Sequence, residues 1–298
     1  MSADNVSTKT TIPNAVATHA PHSVTLRVSA CSDRGLVREN NEDRYLALKI
    51  ERSYTPLSTN IDAAQLQFVP YQARWALAVA DGMGGHAGGE VASTLALSLA
   101  LKMSQQGSQW YVDIGEEEAK ALIERMRTIL ASVDRAIAEE SHQKASLKGM
   151  GTTLTVATIA ADTLFIFHVG DSRCYLLRDN ALEQVTRDDT LVQSLVDRGA
   201  LTPAQARSHP QRSLVTQAVQ GRPMTISGGT LEPQLGDRFM LCSDGLSDVV
   251  TDEAIGLALT SYPEPQECAE QLVKLAVQAG GPDNVTVIVA DVTAGPPD

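Results

Sequence analysis

Apolar and polar positions alternate at period two in VTLRVSA (24–30), DRYLALK (43–49) and WALAVAD (75–81), which predicts three strands. The long polar stretch between the last two (51–73) reads as an excursion from the core. Apolar residues then recur every three to four positions in EVASTLALSLALKM (90–103) and across 116–140, the spacing of two helices. Three runs follow closely, GTTLTVATIA (151–160), TLFIFHVG (163–170) and SRCYLLRD (172–179). Tight Ala-Asp and Gly-Asp links leave no room for crossover helices, so these runs predict antiparallel hairpins. A mixed helical and irregular stretch spans Thr186 to Arg222. Strands return at MTISGGTLEP (224–233) and DRFMLCSD (237–244), helices at 252–260 and 264–279, and NVTVIVADV (284–292) is a final strand. Strand clusters separated by helix pairs indicate an α+β chain with antiparallel sheets in one domain.

Composition narrows the function classes. With 43% hydrophobic and 20% charged residues, the 298-residue chain can bury a sizeable core. Its net charge of −12 argues against nucleic acid, whose binding rests on neutralising phosphates. Cys31, Cys174, Cys242 and Cys268 form no CxxC pair, which disfavours a zinc ribbon or disulfide scaffold and suits a reducing cytoplasm. No apolar run approaches the roughly 20 residues of a membrane helix. Residues 1–22 are polar and lack the apolar core of a secretion signal, so a flexible tail is expected there, followed by a single domain over 23–294.

The glycine-rich stretch VADGMGGHAGGEVAS (79–93) raises the question of chemistry. Its Gly82-x-Gly84-x-x-Ala87 pattern follows a strand and precedes a helix, as a dinucleotide turn does. The acidic residue required about 20 positions later is missing, and no Gly-Lys-Ser/Thr is present for a Walker loop. What stands out is Asp81, a carboxylate at the end of an apolar strand, where an unpaired charge is costly. Asp171 in FHVGDSR, Asp244 and Asp248 in FMLCSDGLSD, and Asp283 in GGPDNVTVIV repeat the arrangement. Alone, each reads as a turn Asp. Together, at the tips of successive strands, they make a set of hard oxygen ligands suited to magnesium or manganese, with no His pair or Cys set for structural zinc.

In this order the motifs resemble those of the metal-dependent protein phosphatases of the 2C family, in their bacterial single-domain form. The resemblance covers about Val24 to Val292 and rests on SDRGLVRENNED (32–43), the glycine-rich stretch, GMGTTL (149–154), VGDSR, LCSDGLSD and GGPDNVT. It implies a sandwich of two antiparallel β-sheets flanked by helices on both sides. It also implies that Asp81 bridges two Mn²⁺ or Mg²⁺ ions and that the carbonyl of Gly82 binds one of them. Asp244 and Asp283 then complete the second ion, with Glu42 and Asp43 at the same cluster. Arg38 becomes the phosphate clamp, and Asp171 and Asp248, with Asp244, the ligands of a third, weaker ion.

The implied reaction is hydrolysis of phosphoserine and phosphothreonine by a metal-activated water without a phosphoenzyme. No cysteine has Arg six positions later and no DxDx[TV] pattern occurs, so the covalent phosphatase mechanisms lack their residues. Phosphorylated proteins, including a serine/threonine kinase or its targets, are the implied partners of a monomeric cytoplasmic signalling enzyme. A non-catalytic relative would have lost ligands, whereas this chain keeps Arg38, Asp43, Asp81, Asp244 and Asp283; a small phosphate ester hydrolase remains open. The chain departs from the family in two places. Met83 stands where some members have His, with His86 the nearest substitute, and Asp188-Asp189-Thr190 replaces the usual Asp-His-Ser. Residues 202–211 fall where the family carries a mobile flap.

Overall fold

The computed structural model describes residues 24–52, 72–84, 88–105, 115–160 and 163–295. The predicted 1–22 tail and His86 lie outside them. Strands β1 (Val24–Asp33), β2 (Arg44–Arg52), β3 (Gln72–Ala80) and the short β4 (Gly82–Met83) precede two long helices, α1 (Gly88–Gln105) and α2 (Glu116–Gln143). Next come β5 (Gly151–Thr152), β6 (Leu154–Ala160), β7 (Thr163–Val169), β8 (Arg173–Arg178) and β9 (Ala181–Gln184). Two short helices, α3 (Leu191–Asp197) and α4 (Pro203–Arg207), lead to β10 (Ser227–Leu231) and β11 (Arg238–Cys242). The remainder is α5 (Asp244–Ser247), α6 (Asp252–Ser261), α7 (Pro265–Gln278) and β12 (Val285–Ala294).

Two five-stranded antiparallel sheets result, ordered β1-β12-β11-β8-β9 and β10-β7-β6-β3-β2, with β4 and β5 as a separate pair. Period-two patterning decides which neighbour each side chain meets. Along β12, Ile288, Ala290 and Val292 face the opposite sheet, packing with Leu77, Val79 and Ile166. Val285, Val287 and Val289 point the other way, into the cluster formed with α5–α7. On β7, Phe165, Phe167 and Val169 pack under Ala92, Ala96, Leu130, Val133 and Ile137 of α1 and α2. Three apolar layers follow, helix–sheet, sheet–sheet and sheet–helix, as the expected sandwich requires. Each fully buried Leu, Ile or Phe contributes roughly 1.5–3 kcal/mol.

Three local differences from the pattern reading have physical causes. Strand β9 was not foreseen, because ALEQ is short and mixed. Its signal is the dipeptide Asp179-Asn180, whose φ values of 52° and 63° make the tight hairpin turn. The 151–160 run breaks at Thr153, whose amide leaves the ladder to bond the Asp81 carbonyl at 2.9 Å. The 224–233 run keeps only Ser227–Leu231 as strand, paired with β7.

Candidate active site

The ends of β3, β11 and β12 and the start of β2 converge at one rim of the sandwich. The backbone of Asp81, immediately after β3, is fixed from two sides: its N–H donates to Thr153 Oγ1 (3.0 Å), and its carbonyl accepts from Thr152 Oγ1 (2.8 Å). Asp43, 3% exposed, opens β2. Its Oδ2 accepts from Ser243 Oγ at 2.7 Å, while its Oδ1 is buried without a hydrogen-bond partner. Asp244 begins α5, and its Oδ1 is likewise buried and unpartnered.

These carboxyls resist ionisation together. Burial, then the charges of Asp43, Asp244 and Asp171, holds the Asp81 carboxyl well above the ordinary carboxylate range. Burial does the same to Asp244, reinforced by Asp171, Asp248 and Asp283. Asp43 is pushed up to about 6 by burial, against the pull of the Ser243 hydroxyl. Asp171, 6% exposed in the turn after β7, rises to about 7, again by burial first and then by Asp188 and Asp248. Glu42 is raised by burial, partly countered by Arg38.

One side chain draws the pieces together. Asn284 accepts from the Glu42 amide (2.7 Å) and donates to the carbonyls of Arg34 (2.9 Å) and Asn40 (2.8 Å), so the start of β12 holds the whole loop between β1 and β2. In that loop Arg38 donates to Asp283 Oδ2 at 2.6 Å. The pairing is with Asp283, not with Glu39 or Glu42 nearby in sequence. Gly82 and Gly89 also need to be glycines. A Cβ on Gly89 would stand 2.5 Å from Glu42 Oε2 and 2.6 Å from the Gly82 carbonyl oxygen, filling the space between these two oxygens.

A second layer lies outward from this cluster. Asp248 closes α5 with its N–H on the Asp244 carbonyl (2.8 Å), one helical turn along as its spacing predicts. Its carboxylate accepts from Ser213 Oγ (2.9 Å) and lies 3.7 Å from Arg212 Nε. Arg173 forks onto Asp188 (2.7–3.1 Å) and also donates to the Tyr175 hydroxyl, which donates to Asp252. Arg207 of α4 reaches Asp252 at 3.4 Å. Arg173, Asp188, Arg207, Arg212, Asp248 and Asp252, with Val192 and Pro203, line a cleft of about 200 Å³ beside Asp171 and Asp244. The Asp188-Asp189-Thr190 departure now has a structural reading. Asp188 takes Arg173, Asp189 accepts from the Gly170 amide (3.1 Å) and Gln217 (3.0 Å), and Thr190 caps α3.

The predicted residues Glu42, Asp43, Asp81, Asp171, Asp244, Asp248 and Asp283 therefore form one continuous electrostatic neighbourhood, with Gly82 and Arg38 at its edge. Sequence reading missed its supports: Ser243, Thr286 (whose N–H donates to Ser243 Oγ at 3.0 Å), Asn284, Thr153 and the Arg173–Asp188 pair. All but one of these stand inside or directly beside the motifs VGDSR, LCSDGLSD, GGPDNVT and GMGTTL, which is the signal that could have found them; Asp188 stands apart.

Do these residues suit divalent cations? Among the described residues no three His, Cys, Asp or Glu side chains close around a single point as they stand. The carboxylates are turned to protein partners instead, Asp43 to Ser243, Asp283 to Arg38 and Asp248 to Ser213. The donor set is nonetheless all hard oxygen, two buried carboxylate oxygens lack any partner, and Glu42 Oε2 and the Gly82 carbonyl oxygen both close on the place a Gly89 Cβ would take. Like charges gathered this tightly are relieved by a proton or a cation. The residues fit the metals.

Comparison with known proteins agrees with this geometry. The family model described as Protein phosphatase 2C matches residues 58–275. The chain belongs to the protein phosphatase 2C family. Among curated relatives, the serine/threonine protein phosphatase PstP of Mycobacterium tuberculosis is 44% identical over 270 residues, 91% of this chain and 46% of PstP. This chain thus spans about half of that relative's length. The protein phosphatase PhpP of Streptococcus pneumoniae is 32% identical, covering 88% of this chain and 96% of its own. A solved PstP catalytic domain, in complex with two manganese ions, superposes with a TM-score of 0.72 at 41% identity, covering 91% of this chain and all of that domain. The sandwich is the fold these 2C phosphatases share.

Proposed function

We propose that this chain is a metal-dependent protein serine/threonine phosphatase that hydrolyses phosphoserine and phosphothreonine without a phosphoenzyme. The observation that carries the reading is the buried group Asp43, Asp81 and Asp244, with its unpartnered carboxylate oxygens, facing the rim that holds Arg38. The two manganese ions of the PstP domain support it. In this reading Asp81 would serve both core ions and the Gly82 carbonyl one of them. Asp244 and Asp283 would complete the second, Glu42 and Asp43 would belong to the same cluster, and Asp171 and Asp248, with Asp244, would hold a third, weaker ion.

When bound, Mn²⁺ or Mg²⁺ supplies an activated water and neutralises charge on the transferring phosphoryl group. The chain's own residues supply placement. Thr152 and Thr153 fix the Asp81 backbone, so its carboxylate is presented at one position. Ser243 orients one oxygen of Asp43 and leaves the other free. Arg38 offers a planar fork of N–H donors to phosphate oxygens at the solvent side. The substrates are phosphorylated proteins, including a serine/threonine kinase or its targets, and the enzyme works as a cytoplasmic monomer.

Phosphate release from a phosphothreonine peptide tests the reading. Activity with Mn²⁺ is expected to vanish in excess chelator and return when Mn²⁺ is restored. Full turnover in chelator, or faster hydrolysis of small metabolite phosphates than of phosphopeptides, counts against it.

A further inference from the structure

The loop after β1 displays two large apolar side chains in succession: Leu36 is 66% exposed and Val37 68%. Among the described residues, the other exposed large apolar side chains stand singly along the chain. This pair is also held still. The Gly35 amide donates to Asp33 Oδ1 (2.7 Å), the Leu36 amide to the Gly281 carbonyl (2.8 Å), and Asn284 ties down the carbonyls at both ends, Arg34 and Asn40. Gly35 has φ +74°, and a Cβ there would stand 2.3 Å from the Asp283 carbonyl oxygen, so the loop lies directly on the turn that carries Asp283. Leu36 Cγ lies 3.2 Å from where a Cβ of Gly281 would be, which seats its side chain over that same turn.

A rigid loop that holds Leu and Val in water gains nothing for the fold from either, because apolar surface stabilises only when it leaves water. The next residue is Arg38. Consecutive Cα atoms are about 3.8 Å apart, and an extended peptide advances about 3.3 Å per residue. A phosphorylated residue held at Arg38 therefore has its immediate neighbours within reach of Val37 and Leu36.

We propose that Leu36 and Val37 form a subsite for an apolar side chain immediately flanking the phosphorylated serine or threonine of the substrate. The inference rests on the phosphatase reading and deepens it by naming a substrate preference. Contact of this kind acts on the bound ground state, so the preference falls mainly on KM. A small ester has no flanking side chain and does not reach the subsite.

The test uses the full chain with Mn²⁺ and two phosphothreonine peptides that differ only in Leu or Ser on either side of the phosphothreonine. The wild type is expected to favour the Leu peptide by about five- to tenfold in kcat/KM, as partial burial of one aliphatic side chain allows. In the double variant Leu36→Ser, Val37→Ser the ratio is expected to fall to about one, with p-nitrophenyl phosphate hydrolysis within about twofold of wild type and an unchanged melting temperature. A ratio near one in the wild type, or one that survives in the variant, overturns the proposal. So does a wild-type dimer that becomes monomeric in the variant, since the patch would then serve self-association. Absence of turnover on every ester by the wild type overturns the phosphatase reading itself, a separate outcome from equal turnover of the two peptides.

Discussion

The inner carboxylates and the outer cleft handle negative charge in opposite ways. Asp43, Asp81 and Asp244 stand at strand ends, held through backbone and hydroxyl contacts, and among the described residues no arginine is one of their hydrogen-bond partners. Asp188, Asp248 and Asp252 each face a guanidinium, that of Arg173, Arg212 or Arg207. The outer layer is neutralised by the protein and keeps a shape. The inner layer is left for a proton or a cation to neutralise, and its high proton affinity is the cost of that arrangement.

The sharpest break is Asp81→Asn, which keeps the shape and removes the central charge. Phosphatase activity is expected to fall about a thousandfold, near 4 kcal/mol in the barrier, with the circular dichroism spectrum retained. Turnover close to wild type would mean the inner cluster is not the reacting site.

Arg173→Ala attacks the outer layer. It leaves Asp188 charged and largely buried, so a stability loss of about 3 kcal/mol in urea unfolding is expected. A loss under 1 kcal/mol would show that the outer pairing is dispensable.

The pH dependence of the metal-free protein separates the layers further. Folded Asp43 and Asp171 keep their protons to about pH 6 and 7, against an ordinary value of 3.8. The folded state therefore binds more protons than the unfolded chain in that window, and stability is lost as pH rises through it. The melting temperature without metal is expected to fall as pH rises from about 4 to 7, with a slope of up to about 1.4 kcal/mol per pH unit for each carboxyl still protonated. Mn²⁺ is expected to flatten the slope and Asp171→Asn to reduce it. A metal-free melting temperature that climbs across the same range would contradict the picture.

Arg38→Ala is the mildest change. The guanidinium is 55% exposed, so its pair with Asp283 contributes under about 1 kcal/mol to folding. Its loss is expected to appear as a roughly tenfold drop in kcat/KM, mostly through KM. An unchanged KM would make Arg38 a structural partner of Asp283 only.

Much of the inner layer was legible in the sequence, because a strand followed by Asp-Gly or Gly-Asp, or preceded by Pro-Asp, announces a carboxylate at a sheet edge. The antiparallel pairing was legible for the same reason, since period-two runs with tight links leave few pairings, whereas the two-sheet sandwich was implied by the family resemblance. Less visible were the groups that act across long separations. Ser243 serves Asp43 from 200 residues away, and nothing local marks its hydroxyl as different from any other serine. Arg173 and Asp188 meet only because the unforeseen strand β9 turns the chain back between them. Glu42 was read as a ligand, yet the Asn284 contact to its amide is invisible without the fold.

The place of β12 governs when this molecule can begin to work. It lies between β1 and β11, pairing Val24 with Ala294 at one end of the ladder, and its first residues carry Asp283 and Asn284 up to the loop. Arg34 and Asn284 are 250 positions apart. During translation at about 5–20 residues per second, β1 therefore waits on the order of tens of seconds for the one strand that pairs with it among the described residues. Until that strand leaves the ribosome, the first sheet is split, the loop bearing Arg38 has no anchor, and the inner cluster lacks one of its acids. In the proposed reading, a nascent chain gains its phosphatase activity only once β12 has been made, so activity arrives all at once.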